Sequence, residues 1–233
     1  MMRTGFDLHT HSVASGHGTT DTIADLAKAA HERGLAMLGI SDHGPKTLGS
    51  ATESYFRSLA SAPKQRCGIE VRYGAECNIL DEEGTLDLSD EVLSGLDYAI
   101  ISFHCPPYRS GSAAENTKAM IRAMRHPGVK ILGHPEDGAF PMDYEELIRA
   151  ARDANVFPEI NNASFCKEPY RKNTRENGAL LLSACVKYQC PVILSSDSHG
   201  RKRVGDFSDS IAFLEDQKFP YSLICQDSHL VLS

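Results

Sequence analysis

The sequence predicts an α/β fold of parallel strands, arranged either as an open doubly wound sheet or as a closed barrel. Three observations carry that expectation. Short apolar, β-rich runs alternate with amphipathic stretches along the whole chain, which is the pattern of βαβ units. The 233 residues are 41% hydrophobic, enough to bury a sizeable core. Six of the seven candidate strands run into a histidine or a carboxylate, and the carboxyl ends of strands are where α/β folds build their sites.

Taken in order, the candidate strands are residues 5–9, 35–40, 69–75, 98–103, 130–133, 156–160 and 192–195. Between the first two, Ile23, Leu26, Ala27 and Ala30 recur at the i, i+3, i+4, i+7 spacing of one helix face. Tyr144, Leu147, Ile148 and Ala151 repeat that spacing after Asp143, with Glu146 three residues on as in a capping box. Residues 113–125 and 177–188 also read as helices. The acidic run from Leu80 to Leu88 reads as a turn or short hairpin on the surface. No Pro- or Ser-rich linker or composition break divides the chain, so one domain is expected over residues 1–233.

Several classes are disfavoured. Net charge is −7, from 24 Lys+Arg against 31 Asp+Glu, with no basic block; a nucleic-acid partner is therefore not expected. Apolar runs such as "LAMLGI" fall well short of the roughly 20 residues that cross a bilayer. The start "MMRTGFDLHTHS" lacks the pattern of a secretory signal, and a cytoplasmic location is expected. The seven cysteines are odd in number and form no C-x-x-C pair, so they read as reduced, mostly buried thiols.

The chemistry lies in the histidines. In "DLHTHS", His9 and His11 sit two apart, and alternate residues of a strand present side chains on one face. "DSH" repeats the spacing with Asp197 and His199, "SDHG" supplies His43, and "SFH" and "LGHP" end strands with His104 and His134. Any one of these alone is an ordinary hydrogen-bonded histidine. Burying all of them without ligands would leave many polar groups to satisfy, so the set points to metal. With His17 and Glu76, it offers seven imidazoles and two carboxylates, too many for one tetrahedral ion. A carboxylate can bridge two ions, and Glu76 at the end of its strand suits that role. Nitrogen and oxygen ligands without thiolate suit zinc first, with manganese or iron as alternatives. Clustered divalent ions activate a bridging water for in-line attack on phosphorus. No G-x-S-x-G elbow and no P-loop occurs to suggest another chemistry.

"DLHTHS", "SDHG", "SFH", "GHP" and "SDSHG", in this order, resemble the PHP family, named for polymerase and histidinol phosphatase. The chain is most similar to its small stand-alone phosphatases with a trinuclear site, a likeness extended by "EINNAS" from Glu159 to Ser164. The resemblance implies a distorted (β/α)7 barrel, TIM-barrel-like, with metals at the carboxyl ends of the strands. It implies that His9, His11, Glu76 and Asp197 hold one ion. Glu76 would bridge to a second, also held by His104 and His134. His17, His43 and His199 would hold a third. The activity implied is hydrolysis of a small phosphorylated substrate by a metal-bridging hydroxide, with histidinol phosphate, a nucleotide, a sugar phosphate or a phosphodiester left open.

Other residues have plainer readings. Arg201, Lys202 and Arg203 form a solvated run from which Arg201 is the candidate phosphate contact, and Asn161 is a candidate to line the mouth. His31 suits the last turn of a helix, His126 a helix end and His229 the tail. No side chain stands out as general acid, and nothing fixes the oligomeric state. Two other functions fit parts of the pattern. An amidohydrolase also opens on H-x-H, but the chain is shorter than the roughly 250 residues of a typical eight-stranded barrel and lacks a lysine closing the fourth or fifth strand. A non-catalytic, metal-stabilised regulatory or polymerase-associated module would be expected to have lost ligands.

Overall fold

The computed structural model describes residues 5–233; the first four residues of the expected domain lie outside the described part. The strands are β1 (Phe6–Asp7), β2 (Thr10–His11), β3 (Met37–Ile40), β4 (Gln65–Arg66), β5 (Ile69–Asn78), β6 (Tyr98–Ser102), β7 (Val129–Leu132), β8 (Phe157–Asn161), β9 (Ile193–Ser195) and β10 (Ser198–His199). The helices are α1 (Ile23–Glu32), α2 (Glu53–Leu59), α3 (Asp90–Leu93), α4 (Ala113–Ala123), α5 (Tyr144–Ala154), α6 (Asn162–Phe165), α7 (Thr174–Tyr188), α8 (Ser208–Asp216) and α9 (Ser228–Leu232). Strand order is β1-β3-β5-β6-β7-β8-β9, every neighbour parallel. The result is a nearly closed seven-stranded barrel wrapped by helices, as the resemblance implies.

Closure is indirect. Just beyond β1 and β9 the chain pairs again through β2 and β10, with Ser198 opposite Thr10 and His199 opposite His11. Below that pairing the seam is stitched by Asp7. Its carboxylate, fully buried, accepts from Ser196 N at 3.2 Å and Gly205 N at 2.8 Å. The closing pair thus carries two site histidines at its centre.

Strand register sets what the barrel contains. Glu76 lies opposite Ile100, Ile100 opposite Ile131, Ile131 opposite Phe157, and Glu159 opposite Ile193, so these residues share one face. Ile100, Ile131, Phe157 and Ile193 join Phe6, Leu8, Met37 and Tyr98 in a compact apolar cluster. This cluster fills the barrel beneath Glu76 and Glu159. A larger cluster, including Leu26, Leu38, Val71, Ile101, Leu147 and Phe213, lies between barrel and helices.

Tyr98 crosses the barrel and donates to Leu8 O at 2.6 Å. Its ring fits because two strand positions have no side chain. A Cβ at Gly39 would lie 2.2 Å from the Tyr98 hydroxyl, and one at Gly74 would lie 2.7 Å from the ring.

The predicted strands all form, with ends shifted by at most three residues, and the four predicted helices are α1, α4, α5 and α7. Asp143 caps α5 through Glu146 N, but reciprocal boxes form instead at Thr22–Asp25 and Ser112–Glu115. Sequence periodicity does not show α2, a seven-residue helix with only Phe56 and Leu59 buried. Gly39→Ala should cost about 1–3 kcal/mol through overpacking against Tyr98, read as a lower urea midpoint; an unchanged midpoint would show that the ring can yield.

Candidate metal centre

Glu76 sits on β5, inside the barrel mouth and fully buried. Its Oε1 is 2.9 Å from His134 Nε2 and 3.3 Å from His104 Nε2. Its Oε2 is 2.6 Å from His43 Nδ1, 3.4 Å from His9 Nε2 and 3.6 Å from His11 Nε2. Five imidazoles therefore meet one carboxylate. Across from it, Asp197 Oδ1 lies 3.2 Å from His11 Nε2 and 3.6 Å from His9 Nε2.

The backbone is bent to make this happen. His134 and Asp197, just past β7 and β9, hold φ of +32° and +51°. Few non-glycine residues adopt such values, and those that do cluster at functional sites. His43 bridges directly to Glu76 from the end of β3. Gly16 and Gly18, at φ of +80° and +79°, flank His17. A Cβ on Gly18 would strike the His199 ring at 2.6 Å, so glycine lets the loop close over that histidine.

The sequence-selected histidines come together unevenly. His9, His11 and Glu76 form one trio whose ligand atoms lie within 4.8 Å of one another; His43, Glu76 and His104 form a second, and His11, His43 and His199 a third. His134 and Asp197 adjoin these trios through the contacts above. His17 belongs to none of them, but its ring lies 4.9 Å from that of His43 and 5.0 Å from that of His199, centroid to centroid. His31 lies in the last turn of α1, as expected. His126 lies beyond α4 and is bound instead to Asp90 at 2.5 Å.

Whether these residues suit metal can be asked of the atoms themselves. His9 Nε2, His11 Nε2, His43 Nδ1, His199 Nε2 and Glu76 Oε2 are all buried, and none makes a hydrogen bond of acceptable geometry among the described residues, although His43 Nδ1 and Glu76 Oε2 stand 2.6 Å apart. Unsatisfied buried polar atoms are rare and costly. Four such imidazole nitrogens gathered in one buried cluster with a carboxylate oxygen fit the donor set of clustered divalent cations.

Electrostatics agree with that fit. Burial alone would depress His9, but Glu159, Asp197 and Glu76 outweigh it and hold it well above the usual imidazole range. Burial, with His43 and His199 alongside, drives His11 well below that range. Burial opposes the charge on Glu76 and Asp197. Imidazoles overcome it at Glu76, led by His104 and His43, and His9 and Arg171 do so at Asp197, so both carboxyls stay well below the usual range.

Two residues of the site escaped sequence reasoning. Glu159, fully buried on β8, holds His9 Nδ1 at 2.6 Å and accepts from His134 N at 2.8 Å. Its sequence signals are a carboxylate amid apolar residues in "VFPEI" and its place at the head of "EINNAS", neither of which assigns it a role. Arg171, in the loop between α6 and α7, donates to Asp197 Oδ2 at 2.7 Å and also meets Ser164 Oγ and Asn161 Oδ1. Nothing local in the sequence marks it.

Asn161 does reach the mouth, where its amide bridges Glu159 and Asp197 and its oxygen accepts from Ala163 N. Arg201 lies at the rim, 3.6 Å from Asp21 and 3.7 Å from Asp25. There, with Thr19, Thr20, Asp21 and Lys202, it lines a cleft of about 550 Å³ beside His199.

Residues 7–163 match the PHP domain family. The chain belongs to the PHP family. This PHP chain is 37% identical over 223 residues to a probable phosphatase of Clostridium novyi, covering 96% of this chain and 90% of the relative. It is 36% identical over 224 residues to a probable phosphatase of Thermoanaerobacter sp., with the same coverages. Among solved structures, its fold is similar to the histidinol phosphate phosphatase of Lactococcus lactis, itself solved with zinc, L-histidinol and phosphate. That match has a TM-score of 0.63 and 15% identity, over 94% of this chain and 95% of the other.

Beside the PHP centre, Glu136 is fully buried and neither carboxylate oxygen has a hydrogen-bond partner among the described residues. Burial pushes it up to about 8. A carboxyl raised on folding favours the folded state below its unfolded value, and that contribution is lost as pH rises toward about 8. Metal-free wild type should therefore lose stability relative to Glu136→Gln as pH rises from about 5 to about 8, read as the difference between their denaturant titrations. An equal slope against pH in both proteins would contradict this.

Proposed function

We propose that this chain is a metal-dependent phosphomonoesterase acting on a small phosphorylated substrate at a trinuclear centre. The observation that carries the reading is one buried cluster in which four imidazole nitrogens and Glu76 Oε2 lack hydrogen-bond partners among the described residues. In this reading His9, His11, Glu76 and Asp197 would hold one ion, Glu76 with His104 and His134 a second, and His17, His43 and His199 a third. Zinc is the first choice, and manganese or iron would suit the same donors. When bound, such ions supply a water activated near neutral pH and Lewis acidity toward phosphoryl oxygens.

The protein's own groups do the rest. Arg171, nearly buried beside Asp197, presents the guanidinium best placed to take a phosphoryl oxygen. Asn161 ties Asp197 to Glu159 by donating from its amide to both carboxylates. The rim cleft with Arg201 accommodates the remainder of the substrate. The seven free cysteines suit a reducing, cytoplasmic setting. An amidohydrolase-like lysine at the mouth finds no support, since Lys130 lies near the start of its strand and reaches Ser233 O instead.

The test is phosphate release from a chromogenic phosphomonoester, with zinc or manganese added and with a chelated control. Release that needs metal is expected; no release with either metal, or release that survives chelation, would overturn the reading. Glu76→Gln and Asp197→Ala should each lower turnover at least about 100-fold and lose bound ion while the chain stays folded. Arg171→Ala should act chiefly on KM, raising it about tenfold or more.

A further inference from the structure

Of the imidazoles around Glu76, His9 has a carboxylate of its own in Glu159. His11 and His104 have none. Each instead meets a neutral side chain: Ser15 Oγ is 2.9 Å from His11 Nδ1, and Asn78 Oδ1 is 2.8 Å from His104 Nδ1. Neither contact stops there. The Ser15 hydroxyl donates to Asp42 Oδ1 at 2.7 Å, and the Asn78 amide donates to Asp87 Oδ2 at 2.6 Å.

Both carboxylates are firmly anchored. Asp42, fully buried, also takes Ser12 N at 2.7 Å, Ser12 Oγ at 2.8 Å and Tyr55 OH at 2.6 Å. Asp87 takes Asn78 N at 2.9 Å and Lys46 N at 3.0 Å. Gly44 of the "SDHG" motif makes room for it, since a Cβ there would lie 2.3 Å from Asp87 Oδ2. Asp87 comes from the acidic hairpin whose composition reads as plain solvated loop.

Donor and acceptor capacity then fixes direction. Ser15 has one proton and gives it to Asp42, so toward His11 it can only accept. Asp87 draws the amide nitrogen of Asn78, so its oxygen faces His104 and can only accept. Both rings must carry hydrogen on Nδ1. In the neutral ring Nε2 is then the lone-pair atom, and it faces Glu76 in both histidines and Asp197 as well in His11.

We propose that Asp42 and Asp87 are positioning residues of the metal centre, acting through Ser15 and Asn78 to set the tautomer and orientation of His11 and His104. The proposal rests on the metal-centre reading above, but its readout is ion affinity rather than turnover. Zinc binding is measured by competition with a chromogenic chelator, with bound ions counted by mass spectrometry, on wild type, Ser15→Ala, Asn78→Ala and Tyr55→Phe. Loss of such an outer partner weakens ion binding about 10–100-fold, and that is expected for Ser15→Ala and Asn78→Ala. Tyr55→Phe removes an Asp42 hydrogen bond off the path to His11; it should lower the unfolding temperature but change affinity less than about threefold. Wild-type affinity in Ser15→Ala and Asn78→Ala would overturn the proposal, and so would an equal loss in Tyr55→Phe. A wild-type chain that binds no zinc would overturn the metal-centre reading as well.

Discussion

Glu76 is one carboxylate facing five imidazoles, and much of this structure can be understood as the means of holding it there. Desolvating a carboxylate completely is expensive, and hydrogen bonding offsets the cost only at Oε1, which meets His134 Nε2 at 2.9 Å, since Oε2 has no hydrogen-bond partner among the described residues. What compensates is positive charge at short range, from protonated imidazoles or from divalent ions. The same atoms that would repel one another as crowded imidazolium groups become a coherent ligand set once cations stand among them. The positive φ at His134 and Asp197 is strain this arrangement sustains.

The barrel supplies the rigidity. The apolar cluster around Tyr98 and Ile100 fills its interior, so Glu76 and Glu159 stand on a packed floor. The closing contact between β2 and β10 passes through His11 and His199, which ties the shape of the mouth to the integrity of the barrel. A disturbance at the seam, such as loss of Asp7, would reach the centre without touching a ligand.

How much of this could be read from sequence depends on the range of the contact. Strands and main helices are legible because their periodicity is local, and the histidines because they stand at or shortly beyond the ends of apolar runs or two residues from another candidate ligand. The PHP motifs then assembled them into one site. Glu159 and Arg171 were not legible. Glu159 meets His9 across 150 residues of chain, and Arg171 reaches Asp197 from a loop with no periodicity. Asp87 was misread for the same reason: acidic residues in a turn are usually solvated, and only the fold shows this one turned inward. Arg201 stands near the mouth as its position after "DSH" suggested, but engaged with Asp21 and Asp25.

In the proposed function, the cluster at Glu76 is built around cations and is incomplete without them. The most direct measurement is thermal unfolding of chelator-stripped protein as zinc is returned, with bound ions counted in parallel. Ions that bind only the folded chain must raise the unfolding temperature with concentration, and two or more per chain should be retained. A chain that keeps no ion and unfolds at the same temperature throughout would contradict the account.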